Sequence, residues 1–306
     1  MPTNSTALTW LEIKREALLG NLQAFRQRIG PAVELVHVIK SNAYGHGLEL
    51  VGQAVESANA ADRFAVISVE ELLRLRKVGI TKPIMVLGYV SIRDLPELVS
   101  AKGIPVLSSE ASLVALSSAA KDVGVSVKVH LKVETGTHRY GFDGKELESV
   151  LNRIPNLPGI ELEGLATHFA NIEDTTDHSF AEGQLQTYVD LLAHARSLGL
   201  EVPVPNAACS AAAILFPKAN FGLVRVGIAS YGIWPSKQTK VSAQHVPGAD
   251  LSLRPVLSWK TTVAQVKDVP AGGYVGYGCS WRASAPTKLA VLPVGYADGY
   301  DRELSN

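Results

Sequence analysis

The chain has 306 residues, 46% of them hydrophobic, with 29 lysines and arginines against 29 aspartates and glutamates. That length allows a substantial core, and the balanced charge gives no electrostatic reason to expect nucleic acid or an anionic membrane as partner. Cys209 and Cys279 are far apart with no metal-ligand spacing around them, Met1-Pro2-Thr3-Asn4-Ser5-Thr6 lacks the pattern of a leader, and no run is apolar for the thickness of a bilayer; a cytoplasmic protein without a disulfide framework or metal site is expected.

Leu8, Trp10 and Ile13 read as a strand, and Leu18, Leu22, Phe25 and Ile29 then fall on one face of a helix. An apolar strand over residues 36–39 delivers Lys40 into Ser41-Asn42-Ala43-Tyr44-Gly45-His46-Gly47, where the glycines predict a turn. Residues 64–67 form the next strand, and Ser68 with Glu71 predicts a capping box opening a helix that carries Leu72, Leu73 and Leu75. A strand at 84–87 precedes a helix containing Leu95 and Leu98, with Asp94 as its cap, and a strand at 104–107 precedes a helix at 110–121. Further strands are predicted at 127–133, 162–166, 202–204 and 223–226, with helical stretches at 146–151 and around Leu185, Tyr188 and Leu192. Strands alternating with helices in one block fit a closed parallel barrel better than an open sheet, whose edges need protection, so the expected fold is an α/β (β/α)8 TIM-like barrel. From about residue 240 the pattern becomes β only, with strands around 257–266 and 289–294 and a turn at Pro270-Ala271-Gly272-Gly273. The expected domains are therefore 10–239, a barrel, and 240–306, a mostly β domain that residues 1–9 join, with the linker at 235–248.

Barrel enzymes place their chemistry at the carboxyl ends of the strands. Lys40 sits at such an end, and an amine in a partly apolar site becomes a nucleophile toward an aldehyde; taken alone, such a residue is more often an ordinary lysine snorkelling from a strand end. Lys132-Val133-Glu134-Thr135-Gly136-Thr137-His138-Arg139 offers a glycine turn and an arginine whose fork suits a carboxylate, with an Arg139–Glu134 surface pair as the alternative. His168 could lie against a flat ring, though a lone histidine after a strand is more often structural. After the last two strands, Ser210 opens an alanine-rich helix and Gly227-Ile228 forms a turn, the makings of a phosphate cup or simply of a capped helix. A lysine for an aldehyde and a cup for a phosphate together point to pyridoxal phosphate.

Val38-Ile39-Lys40-Ser41-Asn42-Ala43-Tyr44-Gly45-His46-Gly47, Thr135-Gly136-Thr137-His138-Arg139, Thr167-His168-Phe169, Val224-Arg225-Val226-Gly227-Ile228, Gly276-Tyr277-Gly278 and Gly295-Tyr296-Ala297-Asp298-Gly299 resemble, in order and over essentially the whole chain, the alanine racemases. The resemblance implies pyridoxal 5'-phosphate carried on Lys40, racemisation of L- and D-alanine by two bases, Lys40 and Tyr277, and supply of D-alanine for peptidoglycan. It further implies a homodimer that offers Tyr277 in trans, helped by His168 and Arg225, and Arg139 orienting Lys40 and the substrate carboxylate. Tyr44, Ser210, Gly227 and Ile228 would bind the phosphate, His168 would pack on the ring, and Lys132 matches a lysine carbamylated in some members. Arg225 falls where the family sets an arginine against the pyridine nitrogen; a group that only donates leaves that nitrogen unprotonated, which weakens the electron sink and favours racemisation over transamination.

Two departures stand out. Cys209 replaces the asparagine usual before the phosphate serine, and the sequence stops at Asn306, where the family's second domain continues with more strands, so an unpaired edge and an exposed apolar face are expected around residues 289–294. Two competing readings are a single-barrel pyridoxal-phosphate carrier, which has no use for Tyr277 or for Gly295-Tyr296-Ala297-Asp298-Gly299, and a barrel decarboxylase, whose ring-nitrogen partner is usually acidic where this chain has Arg225.

Overall fold

The computed structural model describes residues 7–174, 176–249 and 251–304; residues 1–6 and Asn306 lie outside them. The chain forms two compact units: one is Lys14–Val256, and the other joins the residues up to Ile13 with those from Leu257 onward. β1, Thr9–Ile13, belongs to the second unit.

The larger unit contains, among the described residues, seven parallel strands: β2 Glu34–Val38, β3 Arg63–Val66, β4 Ile84–Val86, β5 Gly103–Leu107, β6 Val127–Lys132, β7 Ile160–Ala166 and β8 Leu223–Val226. They hydrogen-bond in the order β7-β6-β5-β4-β3-β2-β8. Between β7 and β8 runs an extended segment: Val204 and Asn206 donate backbone N–H groups to Glu163 and Leu165 of β7 at 2.8 and 3.0 Å. On its other side Pro205 and Ala208 accept from Gly222 and Arg225 at 2.9 and 3.1 Å. The ring of hydrogen bonds therefore closes as a (β/α)8 barrel, its last gap filled slightly later in the chain than the predicted 202–204 because Pro203 and Pro205 have no N–H to give a regular ladder. β4 and β5 are continuous apolar runs because both faces are covered, whereas β6 and β7 carry Lys128, His130, Glu161 and Glu163 among their apolar residues. Val36, Val38, Ala65, Met85, Ile104 and Leu223 pack together, while the helix Arg15–Ile29 buries Leu18, Leu22, Phe25 and Ile29 as its periodicity predicted.

In the smaller unit, β9 Leu257–Thr261 pairs antiparallel with β1, β10 Gln265–Val269 with β13 Thr287–Val291, and β11 Tyr274–Val275 with β12 Trp281–Arg282. The predicted strand at 289–294 thus finds a partner in β10, yet Val263, Val266, Val291 and Leu292 remain exposed.

Several local expectations need correction. Residues 235–248 are not a linker: Ser236 caps the helix Lys237–Ala243, accepting from Thr239 N at 2.9 Å, and Thr239 and Ala243 are buried within the barrel unit. The unit boundary accordingly falls after Val256 instead of at 240. Asp94 does not cap the helix Leu95–Ser100; it ends a short 3-10 turn, Ile92–Asp94, that Ser91 caps. Ser68 does accept from Glu71 N at 3.3 Å, but the Glu71 carboxylate goes elsewhere, to Ile67 N and Asn42 N at 3.1 and 2.8 Å. A helix over Leu48–Ser57 was not anticipated.

Candidate active site

The carboxyl end of the barrel opens into a cavity of about 380 Å³ lined by Lys40, Tyr44, Lys132, Arg139, His168, Ser210, Arg225, Gly227 and Ile228. Nine of the ten residues singled out in the sequence therefore share one wall system. The tenth, Tyr277, belongs to the smaller unit, where its side chain is fully exposed on the turn Tyr277–Cys279.

β2 delivers Lys40 into an unusual turn. Ser41, Asn42, Ala43 and Tyr44 all hold φ between 54° and 56°, the left-handed region, before Gly45 at φ 86°. Each such non-glycine residue costs roughly 1–2 kcal/mol, so the turn requires external support. The Glu71 carboxylate supplies it by accepting from Asn42 N, and the Asn42 side chain accepts from Leu48 N at 3.0 Å. The result throws the Tyr44 hydroxyl across the barrel mouth to Gly227, where a Cβ would stand 2.5 Å from that oxygen. A side chain at that position would have to displace the Tyr44 hydroxyl. The Gly227 amide in turn donates to Ser210 Oγ at 3.0 Å, so Tyr44, Ser210 and the backbone at 227–228 converge.

β6 ends on Lys132 and runs into the loop bearing Arg139. Glu134 does not pair with Arg139; it accepts from the backbone amides of Gly136 and Thr137 and so shapes the turn. Thr137 Oγ1 donates to the His168 carbonyl at 2.7 Å, tying this loop to the residue after β7. Arg225, buried on β8, donates to Asn206 Oδ1, to Thr167 O at 2.7 Å and to Ala207 O at 3.2 Å. Three of a guanidinium's five N–H donors are thereby used, leaving two for a ligand.

Lys40, Lys132, Arg139 and Arg225 face a single lining acid, Glu173, so the cavity is built for an anion. Burial, then the charges of Arg139 and Arg225, lower the Lys40 amine despite an opposing pull from Glu71. Burial with Arg225 and Arg139 drives Lys132 well below its ordinary value. Burial and the same cations push His168 down to about 3, which keeps its imidazole neutral at physiological pH. Cys209 lines the same cavity as a thiol whose pKa burial raises. Sequence reasoning missed Glu71, Glu173 and Asn206. The first was assigned to a helix cap and the others lie in segments without periodicity or motif.

These residues fit pyridoxal 5'-phosphate: a deprotonation-prone lysine, a glycine cradle closed by two hydroxyls, and an arginine with donors to spare share a cavity with a cationic lining. The family model described as alanine racemase, N-terminal domain, matches residues 13–235, and that for the C-terminal domain matches residues 256–306. The alanine racemase of Leptospira interrogans is 36% identical over 304 residues, covering 98% of this chain and 76% of that protein. Among solved structures, alanine racemase of Clostridium difficile 630 superposes with a TM-score of 0.88 at 29% identity, covering 98% of this chain and 76% of that one. The enzyme from D-cycloserine-producing Streptomyces lavendulae gives a TM-score of 0.88 at 31% identity, with 98% and 77% covered.

Proposed function

Since the chain belongs to the alanine racemase family through both its barrel and the strands that follow, we propose that it binds pyridoxal 5'-phosphate through Lys40 and interconverts L- and D-alanine, the D form serving peptidoglycan. The observation that carries this reading is the placement of a half-buried, deprotonation-prone Lys40 opposite the Tyr44, Ser210 and Gly227 cradle in one cationic cavity.

When bound, the cofactor supplies the electron sink that makes the α-proton of an amino acid removable. The chain's own residues do the rest. Tyr44, Ser210, Gly227 and Ile228 would bind the phosphate. Arg225 would donate to the ring nitrogen and, because a guanidinium does not give up its proton, would leave that atom unprotonated. His168 would pack on the ring as a neutral imidazole. Arg139 at the cavity mouth fixes the substrate carboxylate and orients Lys40. Lys40 takes or returns a proton on one face of the α-carbon, and Tyr277 of a second copy does so on the other. Lys132, its amine pushed well below the ordinary lysine range by burial and by Arg225 and Arg139, adds carbon dioxide through Nζ with loss of a proton, and the resulting carbamate anion steadies Arg139.

The test is a chiral assay of the protein loaded with pyridoxal phosphate, offered each alanine enantiomer in deuterated solvent. We expect racemisation, loss of both turnover and the cofactor's visible absorbance in Lys40→Ala, and a selective loss of exchange from L-alanine in Tyr277→Phe. Retained absorbance and turnover in Lys40→Ala would remove the central assignment.

A further inference from the structure

The barrel interior beneath Arg225 is not apolar. Arg225 can only donate, so the Asn206 atom it meets must be Oδ1, and the amide nitrogen of Asn206 is forced to the other side, 2.9 Å from His130 Nδ1. That nitrogen is a donor, which makes His130 Nδ1 the acceptor and leaves the ring proton on Nε2. His130 Nε2 lies 2.9 Å from Glu163 Oε2, an acceptor as a carboxylate. Glu163 is held in turn by Arg63 at 2.7 Å and by Lys128 at 3.1 Å, and Arg63 reaches Glu34 at the start of β2. Every atom in the series has one permitted role once Arg225 is given.

The backbone is adapted to this series. Val129 pairs with Leu162 but His130 pairs with Gly164, so Glu163 is the extra residue of a β-bulge, the device that re-aims a side chain. At Gly164 a Cβ would stand 2.4 Å from His130 Nδ1 and 2.2 Å from Val204 O, so the glycine makes room for the imidazole. Asn206, His130 and Glu163 are all buried, and burial keeps His130 below its ordinary pKa although Glu163 pulls the other way.

We propose that Asn206, His130 and Glu163 are positioning residues, forming a one-way chain of hydrogen bonds that fixes the orientation of the Arg225 fork in the cavity. Its catalytic meaning rests on the proposed function, since Arg225 acts there on the ring nitrogen. If the Asn206 amide turned over or His130 took up a proton on Nδ1, two donors would face each other at a neighbouring link, and Arg225 would lose its stop.

The experiment is nitrogen NMR of histidine-labelled protein loaded with pyridoxal phosphate, with His130 identified by its loss in His130→Gln. We expect unprotonated Nδ1 and protonated Nε2 in the unsubstituted protein. Asn206→Asp, which offers acceptors to both neighbours, should drive His130 to its doubly protonated form. Asn206→Leu should lower kcat on the order of tenfold, with a smaller change in KM, and displace the cofactor's absorption band. A ring proton on His130 Nδ1 in the unsubstituted protein, or an Asn206→Leu variant with unchanged kcat and spectrum, would overturn the proposal. The expected tautomer in a protein without racemase activity would support the wiring and remove only the reaction assigned to it.

Discussion

Gly227 shows how much of the site hangs on a missing methyl group. A Cβ there would stand 2.5 Å from the Tyr44 hydroxyl and 3.3 Å from its ring carbon, so Gly227→Ala displaces the Tyr44 hydroxyl from its place in the cradle. We expect affinity for pyridoxal phosphate to fall by roughly tenfold or more, about 1.4 kcal/mol or above, while affinity for pyridoxal lacking the phosphate falls much less. Equal losses for the two ligands in a direct titration would place the phosphate elsewhere. Lys132 invites a separate check. A neutral amine is the form that combines with carbon dioxide, and the depressed pKa of Lys132 extends that form to lower pH than for an ordinary lysine. Carbon-13 bicarbonate should therefore produce a carbamate resonance near neutral pH that is absent in Lys132→Ala; no such resonance would leave Arg139 without its proposed partner. At this scale, Lys40 and Gly227 were legible because each follows an apolar strand. Asn206 and Glu173 were not, since a polar side chain in an irregular segment announces nothing until its neighbours are known.

The turn after β2 is the element that sequence reading served least well. Gly45 and Gly47 signalled a turn, but nothing in Ser41-Asn42-Ala43-Tyr44 announces that four side-chain-bearing residues in succession adopt the left-handed conformation. The strain is opposed from a different element, because Glu71 on the helix Val69–Lys77 accepts from Asn42 N as well as Ile67 N. Glu71→Ala leaves both amides without their acceptor. Losing such buried bonds costs roughly 1–3 kcal/mol, and the turn should loosen with it, so both the unfolding free energy and the rate of covalent capture of pyridoxal phosphate should fall. Adding Ser41→Gly, which removes the side-chain penalty at one left-handed position, should recover part of the capture rate. If Glu71→Ala captured cofactor as fast as the unsubstituted protein, the turn would not depend on that carboxylate. The barrel strands, by contrast, were legible almost residue for residue, because apolar residues dominate a strand covered on both faces and recur even in β6 and β7, where charged residues interrupt them. The exception is the segment at 204–208, whose backbone partners close the ring while its own sequence lacks a strand's pattern.

For the molecule as a whole, the interior ion cluster sets a pH limit. Burial alone would raise the Glu163 carboxyl, but hydrogen bonds from His130 and Arg63 and the charge of Arg63 hold it well below its ordinary 4.5. A carboxylate depressed in this way stabilises the fold fully above its unfolded value and loses that contribution as pH falls toward the folded one. Glu163→Gln should lower unfolding free energy by roughly 3–5 kcal/mol at neutral pH, since Arg63 is left buried and half-paired, and the deficit should shrink as the pH falls below 4.5. Urea titrations at neutral and acid pH would measure it, and a deficit that stays constant would mean that shape, not charge, is what Glu163 provides. The pairing of β1 with β9 bears on how the chain is made. Ile13 lies opposite Leu257, and Lys14 N donates to Val256 O at 2.8 Å, so the barrel is an insertion whose entry and exit are clasped together. A ribosome adding roughly 5–20 residues per second needs on the order of 10–50 s to travel between those two strands. During that interval the complete barrel sequence emerges and can close on itself, while the half-exposed Trp10 and Leu11 of β1 have no partner strand in existence. β1 therefore leaves the exit tunnel long before the strand that pairs with it exists, and a chaperone that shields short apolar edges has its opening there.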